Sequence, residues 1–208
     1  ELFDEPFFSR SLKVLFLEES VIQNEGNAWL RELSLHNTSL EVLNITGTGL
    51  EHVDIANLSK IATNCKSLIS LKLNELEVEE LTEVLNKTTT LKELGGICVG
   101  NFNPADQPMT TFKLPAGITS LVGLYYFGIN EGDEYVNSLI RPIAPGLRKL
   151  DLQYSCLSID GHCQLLEHCA NLEALEVKTK ISHSISSNFQ LGKTPKYPKF
   201  LGYLQEYP

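Results

Sequence analysis

The sequence has few cysteines, no long apolar run and a deficit of basic residues. Its five cysteines among 208 residues are a small, odd number, which favours a reducing compartment over the disulfide framework of a secreted protein. The longest apolar runs are only a few residues, so none can span a bilayer. With 17 Lys and Arg against 26 Asp and Glu, the formal charge is −9. This argues against nucleic acid and anionic membranes as partners, since clustered Lys and Arg bind both.

Catalytic and cofactor-binding motifs are missing as well. The five histidines are scattered without a nucleophile–base motif, and Gly95-Gly96 is not followed by the spaced glycines of a dinucleotide fingerprint. The only Cys/His cluster consists of Cys156, His162, Cys163, His168 and Cys169. Its spacing does not place all its side chains on one face of a helix, as a tetrahedral zinc site would need. We therefore expect no metal, no cofactor and no catalytic residue in this segment, which we predict is not an enzyme.

The sequence has a repeat instead, of the form Leu-x-x-Leu-x-apolar. Seven copies are present, and their first leucines are 28, 28, 23, 30, 26 and 25 residues apart. Such spacing is typical of leucine-rich repeats. The seven triplets are Leu12/Leu15/Leu17, Leu40/Leu43/Ile45, Leu68/Leu71/Leu73, Leu91/Leu94/Gly96, Leu121/Leu124/Tyr126, Leu147/Leu150/Leu152 and Leu172/Leu175/Val177.

The repeat predicts an α/β solenoid, a horseshoe with parallel strands on its concave face and helices on its convex face. Side chains alternate along a strand, so Leu15 and Leu17 should point inward, whereas Val14, Phe16 and Glu18 should point to the concave side. One strand cannot bury its own apolar face, and stacked repeats form the continuous core. We assign residues 1–178 to about seven repeats.

Apolar spacing of three and four residues predicts helices between the strands, over residues 28–36, 54–65, 77–87 and 160–169. Asp54 is expected to be the N-cap of the second of these helices. Residues 95–117 break the pattern, because Gly and Pro are dense there. That repeat should lack a full helix and carry an irregular loop, either a tolerated insertion or a binding loop.

Longer stretches of the sequence resemble a known family. Residues 11–19 (SLKVLFLEE), 29–44 (WLRELSLHNTSLEVLN), 61–72 (IATNCKSLISLK) and 147–176 (LRKLDLQYSCLSIDGHCQLLEHCANLEALE) are similar to the middle repeats of the coronatine-insensitive jasmonate receptors of plants. The resemblance covers roughly residues 9–178. It includes cysteines three residues before a first leucine, at Cys65 and Cys169, as in the repeats of F-box proteins.

The resemblance implies a nuclear or cytoplasmic substrate receptor of an SCF-type cullin–RING ubiquitin ligase. In that family the horseshoe binds a hormone conjugate together with a repressor degron, and an inositol phosphate supports the pocket. The four arginines here, Arg10, Arg31, Arg141 and Arg148, form no cluster in the sequence. We therefore expect the F-box and the ligand-binding repeats to lie outside this chain.

The chain departs from the family after about Val177. A further repeat should follow, but residues 179–208 form a divergent tail without repeat rhythm. The chain also begins without Met or a basic-then-apolar leader. We interpret it as a truncated form, from alternative splicing or a gene-model error. A genuine divergent cap is the other interpretation of the tail.

The concave face is the expected contact surface for protein partners. Tyr125 and Phe127 should point there, although the Pro-rich loop could instead cover them. The candidate partner-binding residues are Phe16, Tyr125, Phe127, Asp151 and Glu176.

A second functional hypothesis is a free-standing leucine-rich-repeat adaptor, possibly extracellular or immune-related. Four N-glycosylation sequons would suit it, at Asn37, Asn44, Asn57 and Asn86. The alternative is that they arise by chance in a chain rich in Asn, Ser and Thr.

Overall fold

A computed structural model describes residues 11–20, 27–48, 53–99, 113–126, 133–152, 155 and 157–177. Within them, seven parallel strands form one sheet in the order in which they occur along the chain. The strands are β1 (Val14–Phe16), β2 (Val42–Asn44), β3 (Ser70–Glu77), β4 (Glu93–Val99), β5 (Ser120–Tyr126), β6 (Lys149–Leu152) and β7 (Ala174–Val177). The helices are α1 (Ala28–His36), α2 (Ile55–Asn64), α3 (Thr82–Lys87), α4 (Asp133–Ile140) and α5 (Ile159–Glu167), with a 3-10 turn at Ala144–Gly146. The α/β leucine-rich-repeat solenoid is thereby confirmed.

The second leucine of each repeat forms a row through the core. Adjacent strands pair these leucines with one another from Leu15 in β1 to Leu175 in β7. The five inner members, Leu43, Leu71, Leu94, Leu121 and Leu150, are all 0 % exposed. Leu15 and Leu175 are only partly buried against the same core. A repeat therefore needs a neighbour on each side to bury its leucine.

The fifth repeat is out of phase with the sequence prediction by three residues. Leu121 pairs with Leu94 and Leu150, so it is the second leucine of its repeat, and the buried Ile118 takes the first place. The prediction was wrong because isoleucine replaces the first leucine and Leu124 imitates a second one. The prediction that Gly96 takes the inward place of the fourth repeat was also wrong, since Ile97 pairs with Leu124 there.

The left-handed backbone of Gly96 explains this shift. Gly96 has a φ of +63°, a conformation that residues with a Cβ adopt only at a cost. A Cβ on Gly96 would lie 1.9 Å from the carbonyl oxygen of Leu73. Glycine thus allows β4 to bend against β3, where the register shifts between Lys72 and Leu76.

Most of the predicted helices are present. The helix α1 has the predicted limits, and α5 begins one residue earlier than predicted and ends at Glu167. The carboxylate of Asp54 accepts a hydrogen bond from the backbone N–H of Asn57, which confirms Asp54 as the N-cap of α2. The prediction for residues 77–87 was wrong in its first half, because β3 continues to Glu77 and the helix begins at Thr82.

The connection between β4 and β5 has no helix in residues 113–119, and residues 100–112 lie outside the described part. The helix α4, which the sequence did not suggest to us, lies in the next connection. Its Tyr135 hydroxyl donates a hydrogen bond to Glu79 at 2.7 Å, two strands away. The predicted tail over residues 179–208 also lies outside the described residues. No described helix is long and apolar enough to cross a membrane.

The phase of β6 can be tested with two neighbouring substitutions. Leu150→Ala should lower the free energy of unfolding by about 2–5 kcal/mol, because it removes buried methyl groups and leaves a cavity. Lys149→Ala should change it by less than about 0.5 kcal/mol, because its contact with Glu176 is long and solvent-exposed. Urea melts measure both values. Equal losses would mean that the strand is shifted by one residue.

The bend at Gly96 can be tested in the same way. Gly96→Ala should lower the free energy of unfolding by about 3 kcal/mol or prevent folding, because the Cβ adds a clash to an unfavourable φ. Gly146→Ala is the control, since the nearest atom to its added Cβ would be 3.8 Å away. A Gly96→Ala protein with the same free energy of unfolding as the wild type would contradict this role of Gly96 in the bend.

Candidate protein-binding face

The helices cover one face of the sheet and leave the other uncovered. We call the uncovered face the open face, and it corresponds to the expected concave face. Strand pairing arranges its side chains in two rows, one before and one after the leucine row. The first row contains Val14, Val42, Ser70, Glu93, Ser120, Lys149 and Ala174. The second contains Phe16, Asn44, Lys72, Gly95 and Val122, and further along Asp151 and Glu176.

A polar network centred on Glu93 occupies the middle of the open face. The Ser70 hydroxyl donates to one carboxylate oxygen of Glu93 at 2.7 Å. The Lys72 ammonium lies 3.2 Å from the other oxygen, and the Ser120 hydroxyl lies 3.5 Å from it. Burial by itself would raise the pKa of Glu93, but Ser70, Lys72 and the more distant Lys149 outweigh it and lower that pKa. Glu93 is therefore an ionised, fully partnered carboxylate that joins three strands.

Glycine at position 95 makes room for this network. A Cβ there would lie 3.3 Å from the Cγ of Lys72 and 3.0 Å from the carbonyl oxygen of Val122. The stem of Lys72 therefore passes close over Gly95 on its way to Glu93. Sequence reasoning missed the network, although the phase of the leucines would have placed Lys72 and Glu93 on the open face.

The amino-terminal end of the open face is apolar. Phe16 is 60 % exposed and Val14 is 44 % exposed, and Val42 lies beside Val14 in the pairing of β1 with β2. We call Val14, Phe16 and Val42 the apolar shelf. Neighbouring exposed apolar side chains of this kind make the shelf a candidate contact surface for a partner.

The predicted partner-binding residues do not form one cluster. Phe16 lies at the amino-terminal end of the open face, and the exposed Glu176 lies at the other end, 3.8 Å from Lys149. Tyr125 is half-buried and pairs with Cys98 near the carboxyl ends of the strands. Asp151 belongs to the second row, but its side chain is buried and offers a partner little surface. Phe127 lies outside the described residues.

The position three residues before the first apolar residue of a repeat is buried in most repeats of the solenoid. Its buried occupants are Asn37, Cys65, Thr88, Ala144 and Cys169, whereas Pro115 of the fifth repeat is half-buried. The Asn37 side chain donates to the carbonyl of Leu12 at 3.0 Å, and the thiol of Cys65 donates to the carbonyl of Asn37 at 3.5 Å. These short polar side chains therefore link one repeat to the next.

Three of the four described cysteines, Cys65, Cys98 and Cys169, are buried. Burial raises the pKa of Cys65, and it raises the pKa of Cys169 to about 11. Burial, together with the carboxylate of Glu77, raises the pKa of Cys98 to about 12. Because the thiolate is the reactive form, these three thiols are poor nucleophiles at neutral pH. Cys163 is exposed and free. Among the described residues, no three His, Cys, Asp or Glu side chains are arranged to hold a metal ion.

Three of the four sequons are not usable in the folded chain. Asn37, Asn44 and Asn57 are buried, whereas Asn86 is exposed. A buried asparagine cannot carry a bulky glycan without unfolding its surroundings. Asn86 is therefore the sequon asparagine that the folded chain leaves accessible.

Comparison with known proteins finds close relatives among plant proteins. Coronatine-insensitive protein 1 of Arabidopsis thaliana is 36 % identical over 172 residues, which make up 83 % of this chain and 28 % of that protein. Coronatine-insensitive protein homolog 1a of Oryza sativa subsp. indica is 39 % identical over 175 residues, with the same coverage. GRR1-like protein 1 of Arabidopsis thaliana is 30 % identical over 175 residues, covering 81 % of this chain and 28 % of that protein. No protein-family model matches the sequence.

The similarity to solved structures is looser. A structure described as leiomodin-1 actin-binding site 2 has a TM-score of 0.44 at 15 % identity, over 82 % of this chain and 89 % of that chain. The leucine-rich-repeat protein LegL7 of Legionella pneumophila has a TM-score of 0.42 at 19 % identity, over 80 % of this chain and 56 % of that chain. Neither similarity bears on function.

The Glu93 network predicts a specific response to acid. The pKa of Glu93 is lower in the folded chain than in the unfolded chain. The ionised carboxylate therefore stabilises the fold at a pH above its unfolded-state pKa, and this stabilisation is lost as the pH falls through its folded-state pKa. In urea melts between about pH 5 and pH 2.5, Glu93→Gln should lose less stability than the wild type.

Glu83→Gln is the matched control. The hydrogen bond from Lys87, first among several causes, also lowers the pKa of Glu83, but the Glu83 side chain is more exposed than that of Glu93. Added salt should therefore weaken the effect of Glu83→Gln more than that of Glu93→Gln. An identical pH dependence in Glu93→Gln and wild type would contradict the network.

Proposed function

Because this chain belongs to the coronatine-insensitive family of leucine-rich-repeat proteins, we propose that it is a protein-recognition segment of an F-box subunit. In the proposal, the subunit belongs to an SCF-type cullin–RING ubiquitin ligase and acts in jasmonate signalling, in the nucleus or cytoplasm. The chain spans 28 % of the length of the two coronatine-insensitive proteins compared above. The proposal therefore places the F-box and the hormone-binding repeats in other parts of such a protein.

The observation that carries the proposal is the open face. It joins an exposed apolar shelf to a polar network whose charges are already paired, and together they form a preorganised surface. Mixed surfaces of this kind are typical of protein interfaces. The buried thiols of Cys65, Cys98 and Cys169 have raised pKa values, which supports recognition rather than nucleophilic catalysis by these residues.

We further propose that the hormone conjugate, the repressor degron and the inositol phosphate are contacted mainly by other repeats. Binding a carboxylate or several phosphates tightly requires convergent arginines. The described arginines lie on different elements, with Arg31 in α1 and Arg141 just after α4. Arg148 is already paired with Glu173 at 2.9 Å.

A chimera tests the proposal directly. The matching repeats of Arabidopsis coronatine-insensitive protein 1 would be replaced by residues 11–177 of this chain, in plants that lack the resident protein. We expect jasmonate-dependent degradation of a repressor–luciferase reporter to be restored, because the repeats share one stacking geometry. The same chimera with Leu150→Asp is the control that should abolish it. A stable, ligase-bound chimera that never degrades the reporter would contradict the proposal.

A further inference from the structure

We propose that the apolar shelf anchors a protein segment in which a bulky apolar side chain stands next to a lysine or arginine. This inference rests on the function proposed above and specifies the chemistry of the partner. The observations behind it are the exposure of the shelf, its position in a solenoid and the charges that border it.

The shelf contains both of the large apolar side chains that are exposed within the described strands, Val14 and Phe16. Phe16 and Val14 project from the same face of β1, and Val42 lies beside Val14 on β2. Polar residues and glycine, namely Asn44, Ser70, Lys72, Glu93 and Gly95, separate the shelf from Val122 on β5 and Ala174 on β7. The apolar character is therefore local to one end of the face. An anchor on a partner would bury an aromatic ring there, which is the usual basis of an interface hot spot.

Stacking of a further repeat would not cover the shelf. A preceding repeat would pack against the outer edge of β1, where Leu12, Leu15 and Leu17 are only partly buried. Val14 and Phe16 alternate with these leucines and project to the other face. The open face of a solenoid remains accessible however many repeats are added.

The charges that border the shelf without an ion-pair partner among the described residues are negative. On one side of the shelf, Lys13 and Glu41 form an ion pair at 2.7 Å, so their charges cancel. On the next strand, Lys72 is paired with Glu93. On the remaining side, Glu18 and Glu19 are exposed, and neither forms an ion pair with a described residue.

Asn44 holds Glu18 in place beside Phe16. Its amide donates to the Glu18 carboxylate at 3.2 Å, from the second-row position next to Phe16. A partner whose apolar side chain rests on Phe16 therefore meets a carboxylate at the carboxyl end of β1, and a lysine or arginine would complement it.

Peptide selection on the whole 208-residue chain tests the proposal. A phage-displayed library of random 12-residue peptides would be panned on the immobilised chain, and the enriched peptides would be measured by fluorescence anisotropy. We expect enrichment of peptides with Phe, Leu, Ile or Trp next to Lys or Arg. Their affinity should fall as salt is raised.

Paired variants locate the site. Phe16→Ser should lower the affinity for the enriched peptides by about tenfold, because it removes the aromatic side chain on which they rest. Ile69→Ser, which replaces another exposed apolar residue, should change that affinity by less than about twofold. Glu18→Lys should lower the affinity for the same peptides by about fivefold or more. Glu176→Lys, at the far end of the open face, should have little effect. Glu18→Lys keeps the test valid if Phe16→Ser does not fold, and thermal melts check both variants.

Three outcomes would overturn the proposal. They are the absence of enriched peptides, enrichment without Lys or Arg, and binding that persists in both Phe16→Ser and Glu18→Lys. If the chimera described above still degrades its reporter, these outcomes exclude the shelf while the proposed function stands. If the chimera fails as well, both are excluded.

Discussion

The row of second-place leucines is the constraint on which the rest of the structure depends. Each of these leucines is completely buried only when a strand lies on both sides of it, as for Leu43 through Leu150. The helices complete the core from one side, so strand pairing and helix packing bury the same side chains. Stability is consequently shared between neighbouring repeats, and an end repeat is weaker than an inner one.

The open face follows from that burial. Once the leucines point into the core, the residues before and after them must point away from it, and their chemistry is free to differ from strand to strand. The chain uses this freedom in two ways. Ser70, Lys72, Glu93 and Ser120 satisfy one another across three strands, whereas Phe16 has no equivalent aromatic neighbour. The first arrangement pairs the polar groups of the face with one another, and the second leaves an aromatic ring exposed on it.

Much of the fold could be predicted from the sequence because its signals are local. The alternation Val14-Leu15-Phe16 and the cap at Asp54 depend on residues within four positions of one another. The fifth repeat was misplaced because Leu121 and Leu124 match the repeat pattern equally well, and only pairing with Leu94 decides between them. The helix α4 was missed, although Tyr135, Val136, Leu139 and Ile140 have helical spacing.

The sequence by itself determined the solenoid and the direction of most strand side chains. Repetition encodes these features, since each repeat restates the same requirement for burial. Only the tertiary structure decided which charges meet, such as Lys72 with Glu93 across Gly95, or Tyr135 with Glu79. These contacts join residues 21 and 56 positions apart. They form only when the repeats stack, because nothing local in the sequence specifies which distant side chain each of these residues will meet.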